Sequence, residues 1–261
     1  RANNIANPSR LSVGQTLKVP GSKGCQAAPA RKSSGGGGGA PAVAAPVVAA
    51  APAPAGFGYG VQLHAPGGDQ HAIDMVAGMG FNWVKQQVEW HRYEGSKGAY
   101  GFGELDGLVN QANAAGINVL FSVVKAPGWA RGNSDFSVEG PPANPQDMAD
   151  FMGAMAAHFK GRVRAYEIWN EQNLHYEWGN EPLDAGRYVQ LLCACYRAIK
   201  AADPGAIVVS GALTPTGVND GARAVDDVQY LRRMYAAGLR GCSNGVGAHP
   251  SGFNNPASAA A

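Results

Sequence analysis

From residue 57 onward, short apolar runs alternate with stretches whose apolar residues recur every three or four positions. The runs 58–64, 81–90, 117–125, 164–169, 206–211 and 245–249 are rich in β-branched and aromatic residues and read as strands. Between them, 70–78, 102–115, 146–159, 185–202 and 225–237 read as helices. Ile73 and Val76 share one face of the first. Met148, Phe151, Met152 and Met155 line one face of the third and read as core. Tyr230, Leu231 and Met234 do so in the last. Gly116 ends one helix and Asp203-Pro204-Gly205 stops another.

Strand-helix repetition of this kind gives a parallel sheet with right-handed connections. Polar residues close nearly every strand: His64, Glu89-Trp90, Lys125, Asn170-Glu171, Thr214 and His249. An open doubly wound sheet concentrates its site at one switch point, whereas a barrel gathers one from all its strand ends. No GxGxxG phosphate loop follows the first strand. The pattern therefore predicts an α/β fold, a partial (β/α)8 TIM barrel over 57–261. Six strands are legible where a barrel has eight, so the chain is expected to be cut after strand six.

The first 56 residues differ in character. Residues 21–56 hold a Gly35–Gly39 run and an Ala-Pro tract. Such a composition cannot pack a core and predicts a disordered linker. Residues 1–20 end in Leu11-Ser12-Val13-Gly14-Gln15-Thr16-Leu17-Lys18-Val19-Pro20. This tail resembles the second half of a LysM module, a small fold that binds N-acetylglucosamine polymers. The resemblance implies a cell-wall glycan as partner. It also implies that the module's first strand and helix are missing here.

The stretch around which the rest is arranged is 164–173. An apolar strand runs into Asn170, Glu171, Gln172 and Asn173 together, where a purely structural strand would turn away. A carboxyl group among aromatic rings has a raised pKa and can protonate a leaving oxygen. A neighbouring amide can bond a sugar 2-hydroxyl. The residues Glu167-Ile168-Trp169-Asn170-Glu171-Gln172-Asn173 resemble the strand-four signature of the retaining (β/α)8 glycoside hydrolases, the clan of β-xylosidases, cellulases and β-galactosidases. That resemblance implies a catalytic acid/base role for Glu171 and a 2-hydroxyl contact for Asn170. Many members have Pro at the position of Gln172, which alters the loop and leaves the acid in place. The resemblance places the nucleophile on a Glu at the end of strand seven, beyond Ala261. Glu89 and Glu139 are the nearby acids, and neither fits that position.

Side chains alternate in and out of a barrel. If Glu171 points into the mouth, Trp169 and Glu167 share its side. On strand two, Trp83, Lys85, Gln87 and Glu89 point inward and Val84 and Val88 face the helices. A buried Glu167 needs a partner, and Lys85 is the obvious one. Candidate substrate-binding residues at the rim are His64, Glu89, Trp90, Lys125, Trp129, Tyr176, Trp178 and His249. The aromatic rings among them are natural platforms for pyranose faces. Each also has a structural reading as a cap, a loop anchor or a satisfied histidine. His249-Pro250 further resembles the strand-six ending of the clan.

Composition adds limits. Apolar residues make up 45% of the 261, enough for a core, and the net charge of +2 argues against a nucleic-acid partner. Residues 1–32 carry six Lys and Arg and no acid, leaving 15 basic and 19 acidic residues elsewhere, a net of −4. No apolar run is long enough to span a membrane. Cys25, Cys193, Cys195 and Cys242 show no zinc spacing, and no metal or cofactor is expected. Buried free thiols are the first reading of the last three. Pairing of Cys193 or Cys195 with Cys242 is the alternative for a secreted chain. Two functions remain open: an extracellular or cell-surface glycoside hydrolase represented by a fragment, and a carbohydrate-binding protein that does not cleave. Neither sugar nor linkage is readable.

Overall fold

The computed structural model describes residues 57–132 and 136–251. The chain divides into two units, Arg1–Pro46 and Val47–Ala261, and every described residue belongs to the second. The LysM-like segment, the linker and its boundary at residue 57, and Cys25, lie outside the described residues.

Six strands form one sheet: β1 (Gly60–Leu63), β2 (Trp83–Glu89), β3 (Asn118–Val124), β4 (Ala165–Ile168), β5 (Ile207–Leu213) and β6 (Gly245–Ala248). Each pairs in parallel with the next, in the order β1-β2-β3-β4-β5-β6. An order that never reverses is that of a barrel arc, so the expectation of a partial (β/α)8 barrel stands. Five helices connect the strands: α1 (Gln70–Gly78), α2 (Gly103–Ala114), α3 (Pro145–His158), α4 (Ala185–Ala202) and α5 (Asp227–Ala236).

Local chemistry starts these helices where it should. Asp69 caps α1 through the Ala72 amide. Asn144 caps α3, with Pro145 at its first position. Asp184 accepts from Gly186 and Arg187 at the head of α4. Asp226 does the same for α5 through Gln229. The Met148, Phe151, Met152, Met155 stripe is wholly buried.

The core lies between sheet and helices. Val84 and Val88 of β2, Val119, Phe121 and Val123 of β3, Tyr166 and Ile168 of β4, and Val208 of β5 are buried there. One disulfide adds a tie. Cys193 of α4 bonds Cys242, just before β6, across 49 residues. Cys195, two positions along the same helix, stays a buried thiol. The reading of free thiols is thus corrected for Cys193 and Cys242. Residues two apart on a helix point in different directions, so only one of the pair reaches Cys242. Closing a loop of this length contributes about 4 kcal/mol in the chain-entropy account.

The inner face of the arc is open. At the amino ends of the strands, Gly60, Trp83, Leu120, Ala165, Ile207 and Val209 border an apolar hollow of about 550 Å³. Closed barrels fill this space with layers of side chains from all their strands. The hollow lies at the opposite end of the strands from Glu171. No helix among the described residues is long and apolar enough to cross a membrane.

Candidate active site

Strand β4 stops at Ile168, and the backbone then turns sharply. Trp169 has φ 75° and Glu171 φ 46°, both left-handed, on either side of Asn170. Lys125, at the end of β3, has φ 62°. For residues with a Cβ, such conformations cost on the order of 1–3 kcal/mol each and collect at functional sites. The turn also ends the strand's alternation. Trp169 is fully buried, packs edge-on against Trp178 with ring centres 5.6 Å apart, and donates to the Glu177 carbonyl at 2.8 Å. Trp178 in turn packs on Tyr188 of α4. Trp169 therefore lies on the helix side, not beneath Glu171 as strict alternation required.

Gln172 and Asn173 are fasteners. Gln172 is buried and donates to the Gly211 carbonyl at 2.9 Å. Asn173 donates to the Thr214 and Val225 carbonyls and accepts from the Thr214 amide at 3.1 Å. Tyr188 completes the seam, donating to Ile168 and accepting from the Gly211 amide. A Cβ on Gly211 would stand 2.4 Å from Gln172 Oε1, so this close approach of β4 and β5 requires glycine.

Glu171 is half-buried and meets His249 from the end of β6, Nδ1 to Oε1 2.8 Å. The hydrogen bond from His249 holds the Glu171 carboxyl below the usual carboxylate range, against the opposing effect of burial. A Thr214 hydrogen bond and the charge of Lys85 add to the lowering. The raised carboxyl expected at Glu171 is instead Glu177, in the turn Tyr176–Trp178. Burial pushes Glu177 up to about 7, reinforced by the negative charge of Glu171 and opposed by a hydrogen bond with Asn170. Sequence reasoning missed Glu177 because it sits in a loop between two aromatic residues, without periodicity to aim it.

Below the rim, Lys85 Nζ lies 2.5 Å from Glu167 Oε2. Glu167 Oε1 accepts from the Ala212 amide at 3.1 Å, so this buried carboxylate ties β2, β4 and β5 together. Lys125 Nζ bridges Glu89 at 2.7 Å and Glu139 at 3.0 Å. Its hydrogen bond holds Glu89 below the usual range.

The rim aromatics divide. Trp90 begins a short 3-10 turn rather than ending β2, is fully buried, and packs on Phe151 and Trp129. Trp178 is fully buried under the Arg187 guanidinium. Neither offers a face to a sugar, which corrects their reading as platforms. Both rings are large and apolar, and the core claims them. Trp129 is partly buried and donates to the Glu94 carbonyl at 3.0 Å, while the buried Glu94 carboxylate accepts from Trp90 Nε1 at 2.6 Å. Tyr176 is 45% exposed and stands near Glu171 and Glu177, leaving its ring available. His64 is exposed at the end of β1 and lines a small polar recess with Gln87, Glu89 and Arg92.

Six parallel strands in sequential order, with acids, amides and histidines gathered at their carboxyl ends, define a partial (β/α)8 barrel with its site at the rim. Residues 49–236 match the family model of cellulase (glycosyl hydrolase family 5), and the chain belongs to that family. No curated protein matches the sequence. Among solved structures, a GH39 β-xylosidase from Caulobacter crescentus is similar at 21% identity with a TM-score of 0.56, over 80% of this chain and 49% of that one. A GH39 enzyme from Xanthomonas axonopodis pv. citri is similar at 19% identity and TM-score 0.54, over 74% and 40%. A GH30 endoxylanase from Clostridium papyrosolvens C71 follows at 15% and 0.53, over 75% and 50%. The chain spans half or less of the length of these relatives, and at such identities the likeness is one of fold.

Proposed function

We propose that this chain carries the acid/base residue of a retaining glycoside hydrolase acting on an oligo- or polysaccharide. The observation that carries the reading is Glu171. It projects from a left-handed backbone position beyond β4, with Asn170 beside it and His249 on its carboxylate. Family membership supports the reaction class. In the resting state Glu171 is ionised and His249 Nδ1 is its hydrogen-bond partner. When a glycosidic oxygen arrives, an imidazolium His249 gives its Nδ1 proton to Glu171 Oε1 and is left as a neutral imidazole, and Glu171 passes a proton to the leaving oxygen. Asn170 holds the sugar 2-hydroxyl, Tyr176 stacks on a ring face, and His64 binds a hydroxyl at the β1 end. Retention also needs a second carboxylate about 5–5.5 Å from the first. Among the described residues we assign none. Glu89 and Glu139 share Lys125 as their ion-pair partner, and Glu177 is engaged by Asn170.

The commitment of those carboxylates favours a second reading, a domain that binds sugar without cleaving it. One experiment separates the two. In the protein that carries this chain, Glu171→Gln should lower kcat by about 100-fold or more on glycosides with poor leaving groups. It should spare the first step with activated aryl glycosides, which leave without a proton. Equal losses on both substrates would remove Glu171 from the acid role. Sugar binding without any turnover would establish the second reading. The Cys193–Cys242 disulfide supports an oxidising, extracellular or cell-surface location. The LysM-like residues 1–20 would add affinity for a cell-wall glycan.

A further inference from the structure

His249 reaches Glu171 from a strand two places away, and the strand between them is irregular. β5 pairs with β6 as Val209 with Gly245 and Ser210 with Val246, and then as Leu213 with Ala248. Between the last two pairs β5 advances three residues while β6 advances two, so Gly211 and Ala212 together oppose Gly247. This is a β-bulge. Bulges re-aim the chain that follows them and collect beside active sites. Both polar groups of the bulged Ala212 are taken up by β4 and its end. Its amide donates to Glu167 Oε1 at 3.1 Å, and its carbonyl accepts from the Glu171 amide at 2.9 Å. Gly247 lies against the bulge from the other side. Its amide donates to the Oγ of the fully buried Ser210 at 3.2 Å. A Cβ on Gly247 would stand 2.5 Å from the Ser210 carbonyl oxygen and 2.8 Å from Ala212 Cα, backbone atoms that cannot rotate away. Two residues on, the His249 amide donates to the Leu213 carbonyl at 2.9 Å, and its ring meets Glu171 at 2.8 Å.

We propose that the β5 bulge is what brings His249 to Glu171, and that Gly247 is the positioning residue that permits it. A regular β5–β6 ladder would set His249, rather than Ala248, opposite Leu213, and one residue of strand is about 3.3 Å. A contact of 2.8 Å does not survive such a slip. The bulge in turn needs a residue without Cβ at 247. Two carbons in contact stand about 3.5 Å apart, against 2.8 Å to Ala212 Cα, so a side chain there would push β6 outward by roughly 0.7 Å. That takes the His249–Glu171 pair past the reach of about 3.2 Å that an N–H···O bond has. Glu171 would not follow β6. Its amide is held by Ala212, and Asn173 fastens Thr214, at the end of β5, to the turn after β4 through both its amide and its carbonyl. Ahead of the bulge, Asn244 and Val208 exchange two hydrogen bonds at 2.7 and 3.0 Å, so β6 is anchored there and gives way beyond it, where His249 lies. The inference rests on the proposed proton path for its effect on turnover, and on geometry alone for its effect on Glu171.

The test is a 13C titration of the Glu171 carboxyl in the wild type, Gly247→Ala, His249→Ala and the double variant, with Gly245→Ala as control. A Cβ on Gly245 meets nothing nearer than Val209 Cγ2 at 3.9 Å, so that substitution alters the same strand without touching the bulge. The Glu171 midpoint should rise in Gly247→Ala toward its value in His249→Ala, and should keep its wild-type value in Gly245→Ala. In the His249→Ala background, Gly247→Ala should move it no further. A folded Gly247→Ala with the wild-type midpoint would overturn the inference. So would an additional rise in the double variant, since Gly247 would then act on Glu171 without His249. If Gly247→Ala does not fold, Ser210→Ala decides, because it removes the acceptor of the Gly247 amide and adds no bulk. A raised Glu171 midpoint is expected there, and an unchanged one overturns the inference. Turnover is read separately, in the protein that carries this chain. Gly247→Ala should lower kcat on glycosides with poor leaving groups by the same factor as His249→Ala, and should spare activated aryl glycosides. Midpoints that respond while turnover does not would uphold the positioning role and overturn the proton path. Turnover that falls with an unmoved midpoint would overturn the positioning role.

Discussion

On β3, Val119, Phe121 and Val123 point at the helices and are fully buried, while Leu120 on the opposite face is only half-buried. The same contrast recurs on β2, where Val84 and Val88 are buried and Trp83, Lys85, Gln87 and Glu89 remain partly exposed. One face of the sheet is a packed core of interdigitated apolar side chains. The other is a concave wall whose amino end is an apolar hollow and whose carboxyl end is a row of charges. Stability and chemistry thus occupy opposite sides of the same strands. The helix-covered face tolerates little change of volume. The concave face depends on a few ion pairs and hydrogen bonds, and through them on pH.

This contrast can be broken most strongly on the helix side. Phe121 packs on Phe159 and Tyr166, and Phe121→Ala should destabilise the domain by about 3–5 kcal/mol, read by denaturant unfolding. A loss below about 1 kcal/mol would mean that the core does not lie where the structure puts it.

The next effect lies on the concave face. Lys85→Met leaves the buried Glu167 carboxylate without its cation. Loss of one partner from a buried pair costs about 3–5 kcal/mol, and the partial exposure of Lys85 reduces this to about 2–3 kcal/mol. Adding Glu167→Met should restore most of the loss, because two apolar groups leave no charge stranded. If the double variant is as unstable as the single one, the pair is not the reason.

The smallest effect separates neighbouring residues on the two faces of β3. Leu120→Ala sits one residue from Phe121 but borders the open hollow, and should cost only about 1 kcal/mol. A cost equal to that of Phe121→Ala would show that the hollow is filled in solution.

The barrel arc was legible because hydrophobic period and strand-end polarity are local signals. The helices 70–78 and 185–202 have the bounds that the pattern drew. Parity along β2 and β4 leads straight to Lys85 and Glu167, since both lie within regular strands. Legibility fails where the strands end. The apolar pattern predicts a strand through Trp90, but the chain leaves the sheet after Glu89 and turns into the core. Trp169 broke alternation through a single positive φ. Trp178 looked like a rim platform because rim loops often carry one, yet packing claimed it. The electrostatic roles of Glu171 and Glu177 depend on partners 78 residues away in one case and on burial within a loop in the other, and neither leaves a trace in spacing. The disulfide chose between two cysteines that composition treats alike.

Glu171 is a rim carboxylate held toward its ionised form by a partner from a distant strand. The direct measurement is a 13C NMR titration of the Glu171 carboxyl in this chain and in His249→Ala. Its depressed pKa means that the stability it adds is present above the unfolded-chain value for glutamate. That stability is lost as pH falls through the folded-state value. The predicted result is a Glu171 midpoint below that of ordinary glutamate in the wild type, moving upward when His249 is removed. A midpoint at or above the ordinary value, unmoved by His249→Ala, would contradict the pairing and the proton path built on it.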